Sequence, residues 1–126
     1  MKPIDRELQD KWEAQLRKGC LELAILATMW KERRYGLEIL RQLESDSDLV
    51  ITEGTIYPLL SRLKSLGLMN SEWVESEGGH PRKYYSLTSE GRKRTREMAE
   101  SWSRFSTGMD RLLTPLKQRS AKGDNL

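Results

Sequence analysis

Between Leu63 and Met69 the spacing of the apolar side chains changes period, and that change restricts the folds open to the chain. Up to Leu63 these residues fall three and four apart, the repeat of one helical face. From Met69 the pattern runs through Met69, Ser71 and Trp73, two apart, which is the repeat of a strand. From Met98 the helical period returns. Met98, Trp102, Phe105, Met109, Leu112 and Leu116 are separated by 4, 3, 4, 3 and 4 residues, a heptad seam. The expected order is helices, then a hairpin, then one long helix. In 126 residues this is one domain with an appended element, able to bury only a modest core.

Before the change of period there is room for three helices. The first can begin at Asp5 and pause near Gly19, with Leu16, Cys20, Leu23, Ala27 and Trp30 as its apolar face, widened by Leu26. It should end at the polar run 31–34. The second spans 35–43 and closes in Ser45-Asp46-Ser47-Asp48. The third carries Ile56, Leu59, Leu60 and Leu63 as its buried stripe, with Thr52 as N-cap and Gly67 as its stop. The hairpin pairs 68–75 with 82–87 across a turn-rich tip at 76–81, and either Tyr84 or Tyr85, more naturally Tyr85, must face the core. Trp30 and Trp73 read as packing residues. Thr88 reads as the N-cap of the last helix, which Pro115 should end or kink. The domain plan is therefore 1–88, then the helix 89–117, then a disordered tail 118–126.

Composition narrows the function classes. Charged residues make up 33% and hydrophobic residues 37%, with one phenylalanine, which favours a mainly α fold with a small β-hairpin (α+β). The net charge of +3 permits a nucleic-acid partner without requiring one. A single cysteine, Cys20, allows no internal disulfide and fits a reducing compartment. No apolar run approaches the roughly 20 residues of a membrane span, and MKPIDRELQDK is too charged for a signal peptide, so a cytoplasmic protein is expected. One histidine and one cysteine, far apart, suggest no metal site, and no catalytic or cofactor-binding motif is present. An enzyme is disfavoured, and no cofactor is expected.

The stretch EGTIYPLLSRL, 53–63, places Gly54 and Pro58 in the first turns of an otherwise good amphipathic helix. Three helices followed by a hairpin is the winged helix-turn-helix plan, in which the third helix presents its N-terminal turns to the DNA major groove. Gly54 would let backbone approach a phosphate, with the helix N-terminus favouring negative charge. Thr55, Tyr57, Pro58, Ser61, Arg62 and Lys64 lie off the apolar stripe and are the candidate DNA contacts of this helix. For Tyr57 the rival reading is partial burial beneath the first helix. In the wing, His80, Arg82 and Lys83 are the candidates. Segment 79–97 holds six basic and two acidic residues, a net of +4, which favours nucleic acid over a merely solvated hairpin.

Four segments in unbroken order over 17–105 carry a family resemblance: RKGCLELAILATMW, YGLEILRQL, TEGTIYPLLSRLKSLGLM and GGHPRKYYSLTSEGR. Together they resemble the PadR family of phenolic-acid-responsive bacterial transcriptional regulators. The resemblance implies a winged-helix DNA-binding domain, a C-terminal dimerisation helix and usually repression. The single long C-terminal helix resembles the family's smaller subfamily. ESWSRF at 100–105 is similar to a segment of its multidrug-sensing members, whose tryptophan there lines a flat-ligand pore at the dimer centre. Trp102 is the matching position. One departure is His80, where many relatives carry arginine, so a fixed charge is missing from the wing.

The expected partners are therefore double-stranded DNA with an inverted repeat, a second copy of the chain and a small aromatic effector. The dimer seam is Met98, Trp102, Phe105, Met109 and Leu112. Trp102 is a heptad core residue, a stacking platform for a planar ligand, or both. Trp12 is either part of an N-terminal arm packing on the partner or a second ring in the pore. The rival function is a protein-interaction adaptor that uses the same winged helix without specific DNA.

Overall fold

The computed structural model describes residues 3–121, with side chains described over 5–117. Along the chain run α1 (Pro3–Thr28), β1 (Arg34–Tyr35), α2 (Gly36–Asp46), α3 (Glu53–Ser65), β2 (Met69–Val74), β3 (Arg82–Leu87) and α4 (Ser89–Ala121). This is the winged helix-turn-helix plan with a long C-terminal helix. The hairpin β2–β3 gains a third strand that two residues of sequence could not announce. β1 pairs antiparallel with β3, giving the order β1-β3-β2.

The core is built from one face of each element. Ile25 and Leu26 of α1, with Met29 just past its end, meet Ile39 and Leu43 of α2, Ile56, Leu60 and Leu63 of α3, and Met69 and Tyr85 of the hairpin. The inward Tyr85 is as expected, and so is the α3 stripe except at Leu59, which is only half-buried and lines the groove between α3 and α1. The face of α1 is only partly as expected. Leu26 is buried as expected, but Leu16 and Ala27 are exposed, while Leu21, Ile25 and, just past the helix end, Met29 are buried, so the helix is rotated from the expected stripe. Thr28 can join the buried face because its hydroxyl donates to the Ile25 carbonyl at 2.7 Å. No pause occurs at Gly19, and α1 is continuous.

The helix ends obey local chemistry, with two exceptions. Gly67, at φ +79, closes α3: its N–H bonds to the Lys64 carbonyl and that of Leu68 to the Leu63 carbonyl, a Schellman arrangement. Thr88 caps α4, its hydroxyl accepting the Gly91 N–H at 2.9 Å. Thr52 occupies the N-cap position of α3, but its hydroxyl makes no cap bond and lies 3.4 Å from the Thr55 hydroxyl instead. Pro115 does not end α4, which runs on to Ala121. The helical backbone thus covers the first residues of the expected tail, and 122–126 lie outside the described residues.

The backbone divides into two compact units, the first ending at Thr95 and the second beginning at Arg96. The divide falls inside α4 rather than at its start, because its opening turns are tied to the first unit. Arg92 donates to the Trp30 carbonyl at 3.0 Å and stacks over the Trp30 ring at 4.7 Å, which makes Trp30 the packing residue expected. No helix among the described residues is long and apolar enough to cross a membrane.

Candidate nucleic-acid interface

Burying Ile56, Leu60 and Leu63 leaves the opposite side of α3 in solvent. At 100° per residue, Gly54, Pro58 and Ser61 lie near the middle of that side, and all three are exposed. Pro58 sits in the second turn, deeper than a costless position. Its missing N–H leaves the Gly54 carbonyl without its i+4 donor. Glycine and proline are therefore one linked feature on the exposed face. A Cβ at Gly54 would meet nothing nearer than the Thr52 hydroxyl oxygen, at 3.6 Å, so nothing within the chain requires a glycine there.

The flanks of the same face are engaged. On the α1 side, Arg62 Nε donates to Glu22 Oε2 at 3.0 Å. An exposed pair of this kind is worth about 0.2–1 kcal/mol, so an incoming phosphate can displace the carboxylate. Gly54, Thr55, Pro58 and Arg62 form one wall of an open groove of about 730 Å³, with Arg17 and Lys18 of α1 on the other. These two cations were not singled out in the sequence, where no periodicity ties them to α3. On the far flank, Lys64 Nζ donates to Ser71 Oγ of β2 at 2.7 Å. Tyr57 is 40% exposed, and its ring lies over Gly36 at the start of α2, not beneath α1.

In the wing, alternation sends the two basic candidates to opposite faces. Arg82 stacks on Tyr35 at 4.5 Å, Arg33 stacks on Tyr84 at 4.8 Å, and the two tyrosines meet edge to face at 5.4 Å. Arg33 also donates to Glu72 at 2.6 Å, so this outer face is a ladder of rings and charges fastening β1 to the hairpin. Lys83 points to the inner face, its Nζ 5.9 Å from the ring centres of both Trp73 and Tyr85. Burial raises the Tyr85 pKa, and nearby Tyr57 adds to the rise, so the ring beneath Lys83 is a neutral phenol. Trp73, expected to pack, is 68% exposed. His80 is exposed at the tip, where its carbonyl accepts the Ser76 hydroxyl at 2.5 Å. Arg92 is committed to Trp30, so part of the +4 of segment 79–97 is structural charge.

The second unit carries the seam residues on the surface of its helix. Trp102 is 46% and Phe105 62% exposed, their ring centres 6.3 Å apart, and Leu112 is more exposed still, while Met98 and Met109 are half-buried. In the first unit, Trp12 lies with Leu8 and Leu16 on an exposed stripe of α1.

Residues 25–97 match the family described as "Transcriptional regulator PadR-like family". The chain is similar to a PadR family transcriptional regulator of known structure from Eggerthella lenta, at 32% identity and TM-score 0.78, covering 89% of this chain and 97% of that one. It is similar to a PadR-like transcriptional regulator from Bacillus cereus at 36% identity and TM-score 0.73, over 79% and 96% of the two chains. An uncharacterised protein from Lysinibacillus sphaericus is 26% identical over 102 residues, 79% of this chain and 94% of its own length.

Proposed function

Because the chain belongs to the PadR-like family of transcriptional regulators, DNA-binding proteins rather than enzymes, we propose that it is a dimeric repressor that reads an inverted repeat and is released by a small planar ligand. The observation that carries the DNA-reading surface is Gly54, exposed and uncrowded in the first turn of α3, with Pro58 on the same face. Glycine at a helical position with open space around it costs about 0.5–1 kcal/mol relative to alanine. Its use there makes sense when an external surface approaches the backbone. In a two-fold dimer the two such surfaces would meet half-sites about 34–36 Å apart, or a multiple of that.

Gly54→Ala tests this directly. The substitution should leave the thermal midpoint unchanged or slightly raised, and should weaken binding to the protein's own promoter duplex by about tenfold or more. Wild-type affinity in the variant would show that nothing approaches this turn closely. A chain that gives no sequence-dependent shift with its own promoter would instead fit the interaction-adaptor reading.

The effector reading rests on Trp102, whose partly exposed ring beside Phe105 offers a flat apolar surface. Across a dimer two such indoles could clamp one planar ring, at about 0.5–1.5 kcal/mol for each stacked pair. Release of DNA follows only if the ligand prefers a dimer whose recognition helices are wrongly spaced. Titration with planar aromatic cations and phenolic acids, followed by tryptophan fluorescence, should show binding to the wild type and a loss of about tenfold in Trp102→Ala. Equal affinity in both proteins would move the ligand elsewhere and leave Trp102 a packing residue.

A further inference from the structure

Trp73 has the most exposed large aromatic side chain among the described residues, at 68%. Its strand face is otherwise the inner one: Met69 and Tyr85 are buried on it and Ser71 is half-buried. At Trp73 the same face runs out beyond the core. Directly opposite in the register stands Lys83, whose ammonium lies between the indole and Tyr85. Among the described residues Lys83 has no carboxylate partner, whereas Arg33, Arg34 and Arg62 each do. The face is also continuous with α3, because Lys64 from its last turn donates to Ser71.

An indole kept in water beside an ammonium that has no carboxylate partner, on a face shared with the recognition helix, fits a partner that offers anionic and apolar surface side by side. The sugar–phosphate backbone of a duplex has that alternation: each phosphate is flanked by the apolar face of a deoxyribose. We propose that Trp73 is a DNA-contacting residue of the wing, with Lys83 taking a phosphate and the Trp73 ring lying against the adjacent sugar. The proposal rests on the reading of the protein as DNA-binding. Because the contact is to the backbone, it adds affinity without reading sequence. The carbon surface of the indole carries no charge, so its contribution should not follow the release of counterions as that of Lys83 does.

The test uses the full chain, its own promoter duplex and an unrelated duplex, over a series of salt concentrations. Trp73→Ala should bind both duplexes about tenfold more weakly with the slope of log affinity against log salt unchanged. Trp73→Phe, which keeps a ring, should recover most of the loss. Lys83→Ala should lower the slope by about 1. The thermal midpoint of Trp73→Ala should stay at the wild-type value, since little of the ring is buried. Wild-type affinity of Trp73→Ala for both duplexes would overturn the proposal, and would fit a ring reserved for a protein partner. A loss confined to the promoter duplex, or a slope change equal to that of Lys83→Ala, would also overturn it, because the ring would then read bases or merely position the ammonium. If the wild type binds neither duplex, the DNA-binding reading fails on its own account, an outcome distinct from a silent Trp73.

Discussion

Gly91→Ala is expected to cost about 2–3 kcal/mol and to lower the thermal midpoint of the first unit by about 10 °C or more. The reason is a close approach of two backbones. A Cβ at Gly91 would fall on the Leu68 carbonyl oxygen, with the carbonyl carbon only 2.9 Å and the Leu68 Cα 3.3 Å away. Backbone cannot swing aside as a side-chain tip can. The Leu68 carbonyl is also held in place, accepting the Thr88 N–H at 3.1 Å, while the Thr88 hydroxyl donates to the Gly67 carbonyl at 2.7 Å and accepts the Gly91 N–H. Moving the strand start to admit a methyl would break this latch between the end of α3 and the start of α4. The gain of about 1 kcal/mol in helix propensity is too small to offset that. Gly19→Ala is the control: a Cβ there meets nothing within 4 Å, so the same change should be neutral or stabilising. Calorimetry on the two variants decides the matter, and a wild-type midpoint for Gly91→Ala would mean that the approach is not as tight as described.

Leu112→Asp should raise the dimer dissociation constant more than a hundredfold and abolish tight operator binding. Leu112 is 76% exposed and Leu116 64% on the surface of α4, in line with Phe105. Each large side chain removed from water contributes about 1.5–3 kcal/mol, and two-fold symmetry counts every substitution twice, so about 3–6 kcal/mol is at stake. A carboxylate facing its own copy adds repulsion. On the proposed reading of an inverted repeat by a dimer, loss of the dimer would separate two half-sites that otherwise bind as one unit, which removes the gain of linked binding. Sedimentation at micromolar concentration checks the assembly, and promoter binding checks its consequence. A variant that sediments like the wild type, or a wild type that is already a monomer, would rule out the seam as the dimer contact.

Most features that depend on neighbours within a few residues were legible in the sequence, although Thr52 makes no cap bond, α1 does not pause at Gly19 and α4 does not end at Pro115. The buried stripe of α3, the cap at Thr88, the helix stop at Gly67, the hairpin and the inward Tyr85 all follow from period or from turn and cap chemistry. The winged-helix order followed from the same signals, and the candidate contacts Gly54, Pro58 and Ser61 were legible because everything off an apolar stripe must face outward.

The tertiary structure decided the rest, because the deciding neighbours lie far along the chain. CLELAILATMW is apolar nearly all round, so only the positions of α2, α3 and the sheet select Leu21, Ile25 and Met29 over Leu16 and Ala27. β1 exists because β3 is there to pair with it, and the pairing of Arg62 with Glu22 spans 40 residues. The ring of Tyr57 lies over Gly36, and the approach of Gly91 to Leu68 leaves no local trace beyond the glycine itself. Trp73 is the sharpest case: strand periodicity assigned its side of the hairpin, but how far the core extends beneath that side is a property of packing, and the core stops short of the indole.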